Sequence, residues 1–199
     1  DGWTALHLAC SMGHSDIIKI LIDTATTSRI DLNAKINTGN TAFLLACHNG
    51  RSDVVKIFIE NAADFSIDLN TTDDDGWTAL HLACTMGHLD IIEILIDTAA
   101  ISSIDLNANT INCCGSTCFH LACDNGDLDV VGILMENAST SAIDLNRIDD
   151  DGRTGFHLAC ESGDGDVVKI FMQNAVDLNI DLNTIDNSGN SAFNLACER

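Results

Sequence analysis

The decapeptide DGWTALHLAC opens the chain and returns unchanged at residues 75–84, with looser copies at 38–47, 114–123, 151–160 and 188–197. The glycines of these copies, Gly2, Gly39, Gly76, Gly115, Gly152 and Gly189, are separated by 37, 37, 39, 37 and 37 residues. A fixed period of roughly 20–50 residues marks an array in which each unit buries its apolar face against its neighbours. One domain is therefore expected over 1–199, with repeats starting near 1, 38, 75, 114, 151 and 188, the sixth cut short. Neither end has the atypical repeat that caps such arrays, so the chain is expected to be a fragment of a longer one.

Residues 1–37 serve as the template for one unit. Thr4 precedes ALHLACSM, in which Ala5, Leu8 and Ala9 form an i, i+3, i+4 stripe beside a second one made by Leu6 and Cys10. This is a short helix with Thr4 as its N-cap. Gly13, repeated as Gly50, Gly87, Gly126 and Gly163, suits a left-handed C-terminal cap. HSDIIKILIDTAT then reads as a second, longer helix with Asp16 in its first turn, where the helix dipole favours a carboxylate. The rest, IDLNAKINTGN, mixes extended-chain and turn residues, and its IDLN returns four times. A finger between successive helix pairs is expected there. The fold class is all-α, a solenoid of stacked helix-turn-helix units joined by turn and finger loops.

Nine cysteines would suggest a disulfide scaffold if they were scattered, but Cys10, Cys47, Cys84, Cys123, Cys160 and Cys197 all end an LAC block. Stacked helices lie about 8–10 Å apart, whereas a disulfide needs Cα atoms within about 7 Å. Six free, buried thiols are expected, which points to a reducing, cytoplasmic or nuclear setting. Cys113 and Cys114 are read as exposed and reactive. No apolar run is long enough to span a bilayer. The formal charge of −21 argues against nucleic acid and anionic membranes as partners, and for a basic protein surface.

GWTALHLACSMGHSDIIKILID…IDLNAK resembles the ankyrin repeat, with its G-x-T-P-L-H-x-A block, glycine, second helix and D-V-N-A return. The resemblance recurs six times. It implies that His7, His81, His120 and His157 hydrogen-bond near the capping threonine. There are three departures from the family pattern. The chain has no proline, its period of 37 exceeds the family's by about four residues, and one step is 39. Four residues are close to one helical turn of about 3.6. The second helix is therefore expected to run on past Ile22 to about Ala25, and likewise past Ile59 and Ile96.

The chemistry-bearing clusters carry little. Cys113, Cys114, Cys118 and His120 lack the paired spacing of a zinc site. DDDG at 73–76 and 149–152 and DNGDLD at 124–129 lack the twelve-residue loop with its terminal glutamate of a calcium hand. No nucleophile elbow, phosphate loop, H-E-x-x-H or C-x-x-C is written. No catalytic residue, metal or cofactor is assigned. What varies within the repeat are the residues after the turn glycine (Trp3, Asn40, Trp77, Ser116, Arg153) and after LAC (Met12, His48, Asn49, Met86, Asp124, Asn125), with Asp74 and Asp75 beside Trp77. By the resemblance these line the groove and fingers that bind proteins. The expectation is a monomeric protein-interaction scaffold. The rival reading is a targeting or regulatory arm of a larger enzyme or channel.

Overall fold

The computed structural model describes residues 1–111 and 114–197. They form two compact units, Asp1–Asp105 and Leu106–Arg199. In the first unit the helices are α1 (Ala5–Met12), α2 (Ser15–Asp23), α3 (Ala25–Ser28), α4 (Ala42–His48), α5 (Ser52–Phe65), α6 (Ala79–Thr85) and α7 (Leu89–Ser102). In the second they are α8 (Cys118–Asn125), α9 (Leu128–Ser141), α10 (Gly155–Ser162), α11 (Gly165–Asn174) and α12 (Ala192–Cys197). First helices pack on first helices (α1, α4 and α6; α8, α10 and α12), and second helices on second helices (α2, α5 and α7; α9 and α11). Each unit thus has two helical layers. The layers are pinned by buried side chains such as Phe43, Phe58, Leu80 and Leu95 in one unit and Phe119, Phe156 and Phe171 in the other. Phe171 lies 5.1 Å from Phe156 and 5.7 Å from Phe119, centroid to centroid, at the tilted angles aromatic pairs favour.

The caps follow the sequence. Thr4, Thr41, Thr78 and Thr117 each accept a hydrogen bond from the third helical N–H of the helix they open. Gly13, Gly50, Gly87, Gly126 and Gly163 all have positive φ. Among the turn glycines, Gly39 has φ +77°, and a Cβ there would sit 2.4 Å from the Asp74 backbone nitrogen, so no other residue fits.

The longer period is absorbed as expected in two repeats, where α5 and α7 each run 14 residues. α9 does the same. The first repeat departs from this: α2 stops at Asp23, and α3 takes up the remainder after Thr24, whose ψ of 2° lies outside the helical range. Thr24 Oγ1 bonds the Ile20 carbonyl there, but Thr98 makes the same bond to Ile94 inside the unbroken α7, so that bond does not explain the break. α11 also ends early, at Asn174.

Ala5 and Leu8, in the apolar stripe of α1, are exposed, Leu8 at 53%. One further expectation is corrected. Cys197 is exposed, unlike the five buried LAC cysteines; α12, on which it lies, packs on α10. The thiol expectation for Cys113 falls outside the described residues; Cys114 is exposed.

The IDLN segments fold as tight turns. The residue before each takes the left-handed conformation that glycine favours, yet none is glycine: Arg29, Ser66, Ser103, Ala142 and Asn179 have φ between 51° and 54°. An asparagine ladder holds these turns together. Asn33 donates through Nδ2 to the Ser66 carbonyl (2.9 Å) and accepts through Oδ1 from the Asp68 N–H (2.9 Å). Asn70 does the same to Ser103 and Asp105. In the second unit Asn107 bonds Ala142 and Asp144, and Asn146 bonds Asn179 and Asp181.

Candidate interaction surface

The repeat histidines are occupied by the fold. In His7, His81, His120 and His157 the ring Nδ1 accepts the backbone N–H of the capping threonine at 3.1–3.2 Å. An accepting Nδ1 places the proton on Nε2. Nε2 then donates to a finger carbonyl: Ala34 from His7 (3.0 Å), Arg153 from His120 (3.0 Å) and Asn190 from His157 (3.3 Å). Each such histidine caps its own helix and ties down the next finger. Burial holds His7 and His120 below the ordinary histidine range, so both stay neutral.

Of the Cys113, Cys114, Cys118, His120 group, Cys113 lies outside the described residues and Cys114 is exposed. Cys118 is buried with its thiol toward the Leu106 carbonyl, and His120 has both ring nitrogens engaged. Among the described residues no group of three or more His, Cys, Asp and Glu is placed to hold a metal ion.

The fingers turn on an aspartate. Asp73 accepts through Oδ1 from the N–H groups of Asp75 (3.0 Å) and Trp77 (2.9 Å), and Asp149 and Asp186 repeat the pattern. This leaves Asp74 and Asp75 exposed beside the half-buried Trp77, whose ring lies 6.2 Å from that of His81.

The candidate residues separate into three groups. Trp3, at 43% exposure, and Met12, at 63%, stand at the two ends of α1. His48, Asp74, Asp75, Met86, Asp124 and Asn125 are also exposed. Asn40, Asn49, Trp77 and Arg153 are half-buried. Asn49 spends its amide on the Leu45 carbonyl (2.7 Å).

Two candidates are engaged within the fold. Ser116 is buried, and its carbonyl accepts from the Thr110 N–H. Arg153 pairs with Asp149 (2.9 Å), Asp151 (3.2 Å) and Glu161 (3.4 Å). In this finger it serves as counter-ion to the buried Asp149 carboxylate.

Family models describing ankyrin repeats match residues 1–68, 65–149 and 138–196. No curated protein matches the sequence. Among solved structures, the chain is similar to the ankyrin repeat domain of Bcl-3, described as a unique member of the IkappaB family. The identity is 26% and the TM-score 0.84, over 98% of this chain and 80% of that one. It is also similar to a chain of the complex between the Bd0816 predatory endopeptidase from Bdellovibrio bacteriovorus and immunity protein Bd3460. There the identity is 25% and the TM-score 0.75, over 100% of this chain and 93% of that one. No helix among the described residues is long and apolar enough to cross a membrane. With the models covering almost all of the chain, and the caps, stacked helix pairs and fingers as described, this protein belongs to the ankyrin repeat family.

Proposed function

We propose that this protein is a non-catalytic interaction scaffold, a single array over 1–199 that binds a protein partner as a monomer through its fingers and first-helix ends. The observation that carries this reading is the exposure of Trp3, Met12 and Met86 on a chain of formal charge −21. Exposed aromatic and methionine side chains are what interfaces concentrate. The charge selects a partner with a basic surface and speeds its approach. The similarity to an IkappaB-family ankyrin domain and to a chain of an immunity-protein complex supports protein binding as the activity. The free thiols support a reducing, cytoplasmic setting.

The test is affinity capture with mass spectrometry, comparing the wild type with a Trp3→Ala, Met12→Ala double variant at about 0.05 and 0.5 M salt. A partner on this surface is lost with the double variant and weakened by salt, while the melting temperature stays put. Leu80→Ala, at a side chain 1% exposed, should instead cost about 2–5 kcal/mol of stability. A partner retained equally by the wild type and the double variant would remove this surface from consideration.

A further inference from the structure

The second helices carry a surface that neither the fingers nor the first helices share. Between α5 and α7 runs an open cleft lined by the half-buried Ile59 and Ile94, with the exposed Ile101 at one end, and rimmed by Glu60, Asp90, Glu93 and Asp97. Its lower half, around Ala62, Ala63, Ile101 and Ser102, comes from the stretch by which this repeat outgrows the family's length of about 33 residues. Lys56 is the only cation among the lining residues.

The charge placement works against the helices that bear it. Glu93 and Asp97 are four residues apart on α7, as are Glu60 and Asp64 on α5, and like charges at that spacing repel. Asp64 sits in the last turn of α5, where the dipole is already negative, and neither helix has a basic residue in its last turn. Among the described residues no ion pair engages Glu60, Asp64, Glu93 or Asp97. Ile101, 87% exposed, adds apolar area beside them. An uncompensated local conflict of this kind marks a place where something outside the chain supplies the balance.

We infer that the α5–α7 cleft is a second docking site, distinct from the finger surface, and that its occupant is a basic amphipathic helix of a partner protein. Ile94 and Ile101, seven residues apart on one face of α7, match apolar anchors recurring at i, i+3, i+4 and i+7 of such a helix. Lysines and arginines flanking those anchors would meet the four rim carboxylates and the negative ends of two helix dipoles. The 14 residues of α7 span about 21 Å, which sets the occupant's length at about four turns.

The probe is a fluorescein-labelled 14-residue helical peptide of leucine and lysine with leucines at that spacing, read by anisotropy at about 0.05 and 0.15 M salt. Its acidic counterpart has every lysine replaced by glutamate. A chain this acidic attracts any cation, so the controls match net charge. Glu93→Lys with Asp97→Lys should weaken the lysine peptide about tenfold or more. Glu136→Lys with Asp177→Lys, the same charge change on exposed positions of the other unit, should weaken it no more than about twofold. Ile101→Ser, at a side chain too exposed to affect folding, should weaken it about three- to fivefold with the salt dependence unchanged. The acidic peptide should not bind. Equal losses in both charge-reversed pairs, or no loss in Ile101→Ser, would reduce the cleft to general electrostatic attraction and overturn the site.

Discussion

The asparagine ladder makes a sharp quantitative prediction, because the chain contains its own control. Asn70→Ala removes the Nδ2 bond to the Ser103 carbonyl (2.8 Å) and the Oδ1 bond from the Asp105 N–H (2.9 Å), while the Asn70 N–H keeps its bond to Asp68. Hydrogen bonds of this kind contribute about 0.5–1.5 kcal/mol each. The turn is exposed, so water recovers part of that loss, and a net cost of about 1–2 kcal/mol is expected. At about 2–4 °C per kcal/mol for a chain of this size, the melting temperature should fall by roughly 2–8 °C. Asn183 occupies the same position in the last IDLN. Its N–H bonds Asp181, and its side chain makes no bond among the described residues. Asn183→Ala should therefore cost under about 0.5 kcal/mol. Asn70→Asp should cost more than Asn70→Ala, since a carboxylate would then face the Ser103 carbonyl. Urea titrations followed by circular dichroism compare the three variants. If Asn70→Ala and Asn183→Ala cost the same, the cross-repeat bonds contribute nothing and the ladder is only a turn preference.

Three more outcomes are expected. Ala142→Gly relieves a left-handed alanine at φ 54° and should stabilise the protein by about 0.5–1 kcal/mol in the same titration, despite the extra unfolded-state freedom of glycine; destabilisation would mean that the turn holds alanine without strain. Because burial lowers the His7 and His120 pKa values, only the unfolded chain takes up their protons just below pH about 6.5, so their contribution is complete above that pH and is lost as pH falls toward the folded values. Urea midpoints from pH 7.5 to 5.5 should thus decline more steeply for wild type than for His120→Gln, and parallel curves would refute the neutral-histidine cap. In a Cys113→Ser variant, Cys114 and Cys197 should react rapidly with a disulfide reagent, and the six buried thiols only on unfolding. Burial pushes Cys10 up to about 12 and Cys160 up to about 11, and raises Cys47 and Cys123 as well, which suppresses their thiolates.

By itself the sequence determined whatever repeats within one unit. The Thr4 cap, the left-handed Gly13, the first-turn Asp16 and the buried Leu80 depend on neighbours no more than one helical turn away, or on a position that every repeat fills alike. Stacking identical units turns such local preferences into a fold, because each unit meets only its neighbours. The tertiary structure decided what a repeated position does in each particular finger, and which residues 33–40 positions apart are tied together. Trp3 and Ser116 occupy the same place in the repeat, yet one is exposed and the other buried, while Arg153 at that place became the partner of Asp149. IDLN was visible as a period, but its asparagine as a tie between repeats was not, because the acceptor of Asn70 is a carbonyl 33 residues on. The α5–α7 cleft was out of reach for the same reason. Ile59 and Ile94 lie on different helices, and only the lateral packing of two lengthened second helices sets their apolar faces and unpaired carboxylates side by side.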